Sequence, residues 1–154
     1  MKIGHICLAI ESDEVTAGFT SLVEAFDRLA IEQHVLVASV SLARRLQSCP
    51  YVTMGPVVKT AVTAYCLMPN VDLVHIHDEK GEQAALLLRL TRSIPFVLTV
   101  SDPDDAGRNP LSRAVRRRAA CLVQQPYEEY DEIISTYRQV IDTWSKLPQD
   151  ADCG

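Results

Sequence analysis

No stretch of the 154-residue sequence approaches the ~20 consecutive apolar residues that a membrane-spanning helix requires, so no such span is expected. A secretory leader is not expected either. The apolar run after Met1-Lys2 stops at Ile10 and passes into Glu11, Asp13 and Glu14, where a leader would have a small-residue cleavage site. The five cysteines, Cys7, Cys49, Cys66, Cys121 and Cys153, include no C-x-x-C pair and are odd in number. With Cys7 and Cys121 inside apolar runs, they read as small buried hydrophobes of a reduced cytoplasm. Positive charge is scarce: 15 Lys and Arg stand against 20 Asp and Glu, a formal charge of -5, which argues against a dedicated nucleic-acid binder. Neither G-x-G-x-x-G nor a phosphate-loop lysine motif occurs. A tight backbone cradle for a diphosphate is therefore not encoded, and no cofactor is expected. No internal repeat, low-complexity tract or linker divides the chain, whose length suits one domain.

What remains is ordinary globular composition, 47% hydrophobic and 23% charged. Short apolar runs alternate with longer amphipathic ones, the pattern of parallel strands covered by helices on both faces. Strands are predicted over 2–10, 34–40, 51–54, 71–77, 96–100 and 119–124. Helices are predicted over 18–30, 42–47, 60–68, 81–92, 111–118 and 127–137. In the first helix Phe19, Leu22, Val23, Phe26, Leu29 and Ala30 recur at three- and four-residue spacing and form one buried stripe. Gly55-Pro56, Pro69 and Ile94-Pro95 punctuate the pattern. Residues from 139 onward could add one edge strand before Pro148. The expected architecture is a single α/β Rossmann-like domain over 1–147, a doubly wound, mostly parallel sheet of six or seven strands with helices on both faces, and a polar tail over 148–154.

In such sheets ligands bind beyond the carboxyl ends of the strands, where strand order reverses. Val74-His75-Ile76-His77-Asp78 ends the fourth strand, with His75 and His77 on one face and His77 nearer the edge. His75 suits a hydrogen-bonded core histidine. A metal would need a third ligand, with Asp78, Asp102 or Asp104 as candidates. The D-x-D spacing of Asp102 and Asp104 also admits a Mg²⁺-dependent phosphohydrolase. Arg108, Arg113, Arg116, Arg117 and Arg118 cluster around one short helix, and Arg113, Arg116 and Arg117 form the candidate patch for anionic lipid headgroups or an acceptor.

The order of segments resembles the amino-terminal, acceptor-side domain of GT-B glycosyltransferases of family 4. The resemblance is carried by the Met1-Lys2-Ile3 strand, the Ala17-Gly18 segment before an amphipathic helix, and Asp72-Leu73-Val74-His75-Ile76-His77-Asp78 ahead of Ala84-Ala85-Leu86-Leu87-Leu88. Ile94-Pro95-Phe96-Val97-Leu98-Thr99-Val100 and Arg117-Arg118-Ala119-Ala120-Cys121-Leu122-Val123 extend it over most of the chain. It implies a domain that contacts a glycan or lipid-linked acceptor while a second domain binds the nucleotide sugar. Carried over position by position, His77, Ser101 and Asp102 fall at catalytic positions, and Ala17, Gly18, Asp78 and Gln124 at substrate-binding ones. This chain departs from the family in three places. Ala17 replaces the first of two glycines, Ser101 replaces a histidine, and Gln124-Gln125-Pro126 stands where a serine-containing loop is usual. The family's E-x7-E motif belongs to the donor half, and the matching spacing of Glu24 and Glu32 is coincidental. One wall of a cleft does not hold donor and acceptor together, so the resemblance implies action with a donor-binding polypeptide or as an oligomer. The expected place of action is the cytoplasm, with peripheral contact at the inner membrane as a further expectation. The alternative is a catalytically inactive domain retained for protein interaction or regulation.

Overall fold

The computed structural model describes residues 1–9, 13–100, 110–124 and 130–146. Six strands form one sheet: β1 (Lys2–Cys7), β2 (Glu32–Val37), β3 (Val52–Met54), β4 (Leu73–Ile76), β5 (Phe96–Val100) and β6 (Cys121–Gln124). Their order is β3-β2-β1-β4-β5-β6, and every pairing is parallel. The order reverses between β1 and β4, which places the switch point of the sheet at their carboxyl ends. All four residues of β4 are buried, as expected of a central strand covered on both faces.

Alternation along β1 defines the two layers. Ile3, His5 and Cys7 face one side, where α1 (Asp13–Arg28), α2 (Val40–Leu46) and α6 (Tyr130–Trp144) supply Phe26, Leu42, Leu46 and Ile134 to the core. Ile6 and Leu8 face the other, against α3 (Ala61–Leu67), α4 (Glu82–Arg92) and α5 (Pro110–Arg118). Ser39 caps α2, its hydroxyl accepting from the Leu42 amide at 3.4 Å, and Thr60 caps α3 through the Thr63 amide at 3.2 Å. A short 3₁₀ turn, Glu79–Gly81, leads from β4 into α4. A Cβ on Gly81 would lie 2.8 Å from Ile76 Cγ2, so only glycine lets this turn sit directly on the sheet.

Two sequence expectations are corrected. The first helix begins at Asp13 rather than residue 18, so Ala17 and Gly18 lie inside α1 and not in the loop before it. Val15 extends the apolar stripe toward the amino terminus. No seventh strand follows residue 139 among the described residues, because α6 continues to Trp144. Ile133, Ile134, Tyr137, Val140 and Ile141 keep helical spacing and pack on one core cluster, which a strand could not do. The polar tail 148–154 lies outside the described residues.

Candidate functional site

Three histidines meet under the switch point. His5 on β1 and His75 on β4 are register partners, and His77 follows β4 with its amide bonded to the Ile6 carbonyl at 3.0 Å. All three are buried, His77 at 3% exposure being the most accessible. His5 Nδ1 and His77 Nε2 are 3.0 Å apart, and the rings of His75 and His77 lie 3.9 Å apart between centroids. His75 is held at both nitrogens, Nε2 by the Thr99 hydroxyl at 2.7 Å and Nδ1 by the Tyr137 hydroxyl of α6. Phe19 of α1 covers His77, with centroids 4.6 Å apart at 63°.

Burial is the main electrostatic influence here. It pushes the His5 imidazole down to about 3, with Gln33 partly offsetting it, and holds His75 and His77 well below the ordinary histidine range, helped by repulsion from the neighbouring rings. The three are therefore neutral near pH 7. Their ligand atoms lie within 4.8 Å of one another, close enough to consider a cation. Yet both His75 nitrogens are hydrogen-bonded and His5 is bonded to His77, so an ion would have to displace bonds already made. The set is better described as a polar core network.

Asp78 is committed to the backbone. Its Oδ2 accepts from the Leu8 amide and from the Ala9 amide at 3.2 Å, and its Oδ1 accepts from the Lys80 amide at 2.9 Å. One carboxylate thus ties the end of β1 to the turn after β4, across the switch point. Burial raises its pKa, while these amide bonds pull it down. Glu82 opens α4 with its side chain mostly covered, and accepts from the Ser112 hydroxyl of α5 at 3.0 Å. Burial raises Glu82 first of all; Ser112 opposes this, Glu79 adds to it, and Arg116 opposes it.

The other predicted residues are dispersed. Ala17 is exposed and Gly18 half-buried within α1, and Gln124 is exposed at the end of the edge strand β6. Arg113 and Arg117 are exposed on α5, with Arg116 half-buried toward Glu82. Ser101 and Asp102, with Asp104 and Arg108, lie outside the described residues. The structure brings His77 together with His75, as the H-x-H spacing predicted, and adds His5, Thr99 and Tyr137, which that spacing does not reach. The Ile3-His5-Cys7 alternation puts His5 on one face of β1, but only the pairing of β1 with β4 brings it to His75.

No family model matches the chain, and no curated protein matches it significantly in sequence. Among solved structures, the crystal structure of Anabaena HepE (Alr3699) in complex with UDP matches it with a TM-score of 0.57 at 11% identity. The match covers 94% of this chain and 41% of that one, so the chain spans less than half the length of HepE. The likeness is one of fold: the chain is a single six-stranded, parallel, Rossmann-like unit, shared with part of that UDP-bound protein.

Proposed function

We propose that this chain is the acceptor-side half of a GT-B-type glycosyltransferase, working with a separate donor-binding polypeptide to transfer a sugar from a nucleotide sugar to a glycan or lipid-linked acceptor. The observation that supports it is the fold match, which takes in nearly all of this chain but under half of a protein that binds UDP. Sugar transfer requires donor, acceptor and charge-stabilising groups in one water-poor cleft, and one lobe provides one wall of it. His77 and Asp78 at the switch point, Ala17 and Gly18 on α1, and Gln124 at the end of β6 are the proposed acceptor-side positions, together with Ser101 and Asp102, which follow β5 in the sequence. Arg113, Arg116 and Arg117 are the proposed contact for a lipid-linked acceptor or an inner-membrane surface.

A second reading, a catalytically inactive interaction module, draws on one specific observation. The groups expected to meet a substrate are engaged internally, Asp78 by the Leu8 and Ala9 amides and His77 beneath Phe19. One experiment separates the two. The chain is tagged in its native cells, the polypeptide that co-purifies is identified, and each partner alone and the pair are assayed with radiolabelled UDP-sugars. The split-enzyme reading expects transfer only by the pair, and UDP binding by the lone chain weaker than about 1 mM, worth under ~4 kcal/mol. A stable pair that transfers nothing with any donor supports the interaction module. Transfer by the lone chain overturns both.

A further inference from the structure

Backbone amides that converge on one point make a cradle for an oxyanion. The Leu8 and Ala9 amides, just beyond the end of β1, both donate to Oδ2 of Asp78, and the Lys80 amide donates to Oδ1. Two of the three donors lie 70 and 69 residues from Asp78 in the sequence, so the set is assembled by the sheet and is more than a local cap. It sits at the switch point, where sheets of this kind take up anions on backbone amides. No Lys, Arg or His among the described residues forms an ion pair with Asp78. Its charge is therefore held by amides, and after burial it is the next influence pushing the Cys7 thiol up to about 12.

We propose that the Leu8, Ala9 and Lys80 amides form an oxyanion site that Asp78 fills from within the chain, so that phosphate and carboxylate groups are refused at the switch point. The carboxylate takes the donors a ligand anion would need, and its charge repels a second anion. Gly81 completes the arrangement: a Cβ there would lie 2.8 Å from Ile76 Cγ2, and without one the turn rests on the sheet with the Lys80 amide in reach of Oδ1. For the acceptor, the consequence is that the group meeting this end of β4 is an uncharged hydroxyl. That consequence rests on the sugar-transfer reading; the filled site does not.

Asp78→Ala removes the carboxylate and keeps the Cβ, and formate is that carboxylate as a free ion. The full chain, labelled with nitrogen-15 at about pH 7, is titrated with sodium formate and, at matched ionic strength, with sodium chloride. In Asp78→Ala the Leu8, Ala9 and Lys80 amide signals should move together and saturate with formate alone. A Kd of about 10 mM would also raise the folding equilibrium constant about tenfold at about 100 mM formate. In the wild-type chain neither formate nor inorganic phosphate should move these signals. An alanine chain that answers formate and chloride alike overturns the proposal, as does a wild-type chain whose three amides follow formate or phosphate. If the alanine chain stays unfolded in chloride, refolding yield is read instead: recovery is expected in formate alone, and no recovery there overturns the proposal too. The sugar-transfer assay reads something separate, since failed transfer leaves the filled site standing and a failed titration leaves the two-lobe reading standing.

Discussion

A buried imidazole is tolerated while it is neutral, and this core holds three. Below the ordinary histidine value of 6.5 the unfolded chain takes up protons that folded His5, His75 and His77 refuse, burial being the main cause in each. Their contribution is fully present above about pH 6.5 and is lost as pH falls from there toward the depressed folded values, at up to ~1.4 kcal/mol per pH unit for each histidine. Asp78 and Glu82, whose pKa values are raised by burial, act in the opposite sense, gaining stability as pH falls from their raised folded values toward the unfolded range near pH 4, but two such groups offset only part of the effect of three histidines. Thermal unfolding followed by circular dichroism should therefore show the melting temperature falling steadily between pH 7 and pH 5. A flat profile over that window would mean the histidines are hydrated or charged in the folded chain. Asp78 supplies a second test: Asp78→Ala leaves the Leu8, Ala9 and Lys80 amides without their acceptor and should cost on the order of 3 kcal/mol in urea unfolding. His75, His77 and Asp78 were legible in the sequence as a strand-end cluster. The role of Asp78 as a clamp was not, because its partners lie 69 and 70 residues away. His5 was hidden for the same reason: the pairing of Ile3 with Leu73 that brings it to His75 is a property of the sheet and not of either segment.

At the scale of elements, the strands and the central helices were legible because proline and glycine punctuate them and their apolar periods are clean. The errors fell at the ends of helices. Ser12 to Thr16 reads as a polar loop until α1 is seen to start at Asp13, and Gln139 onward reads as an edge strand because Val140 and Ile141 are β-branched. Packing against the Ile3 and Leu73 cluster overrides that propensity and carries α6 on to Trp144. There the indole nitrogen donates to the Ser93 carbonyl at 2.8 Å, and the Arg89 guanidinium lies 3.8 Å above the ring. Ser93 closes α4 with φ of 53°, so the end of α6 braces a left-handed turn on the opposite layer of the sheet. Trp144→Ala removes one hydrogen bond and one cation–π contact and is expected to cost about 1–3 kcal/mol. Hydrogen exchange should rise at Ser93 and in the last turn of α6 while the β1 and β4 amides stay protected. Loosening that spreads to the central strands would show that α6 is required for the whole core and is more than a brace.

At the scale of the molecule, charge is distributed unevenly. A chain of net charge -5 carries three exposed arginines, Arg113, Arg117 and Arg118, on the nine-residue helix α5. No helix among the described residues is long and apolar enough to cross a membrane, and the contact proposed for α5 is one at the lipid surface. Each arginine near an anionic leaflet is worth about 1 kcal/mol, and three acting together amount to roughly a 100-fold preference for anionic over neutral lipid at low salt. The rest of the sequence carries net negative charge, which an anionic leaflet repels, so contact is expected through α5. Co-sedimentation with phosphatidylglycerol vesicles should therefore be strong in low salt, absent with phosphatidylcholine, and lost near 1 M salt, where the Debye length shrinks to about 3 Å. The paired change Arg113→Glu and Arg117→Glu should abolish binding without altering the melting temperature, since both side chains are exposed. Equal binding to neutral and anionic vesicles, or none to either, removes the membrane from the proposed function and leaves the arginine helix to a protein or glycan partner.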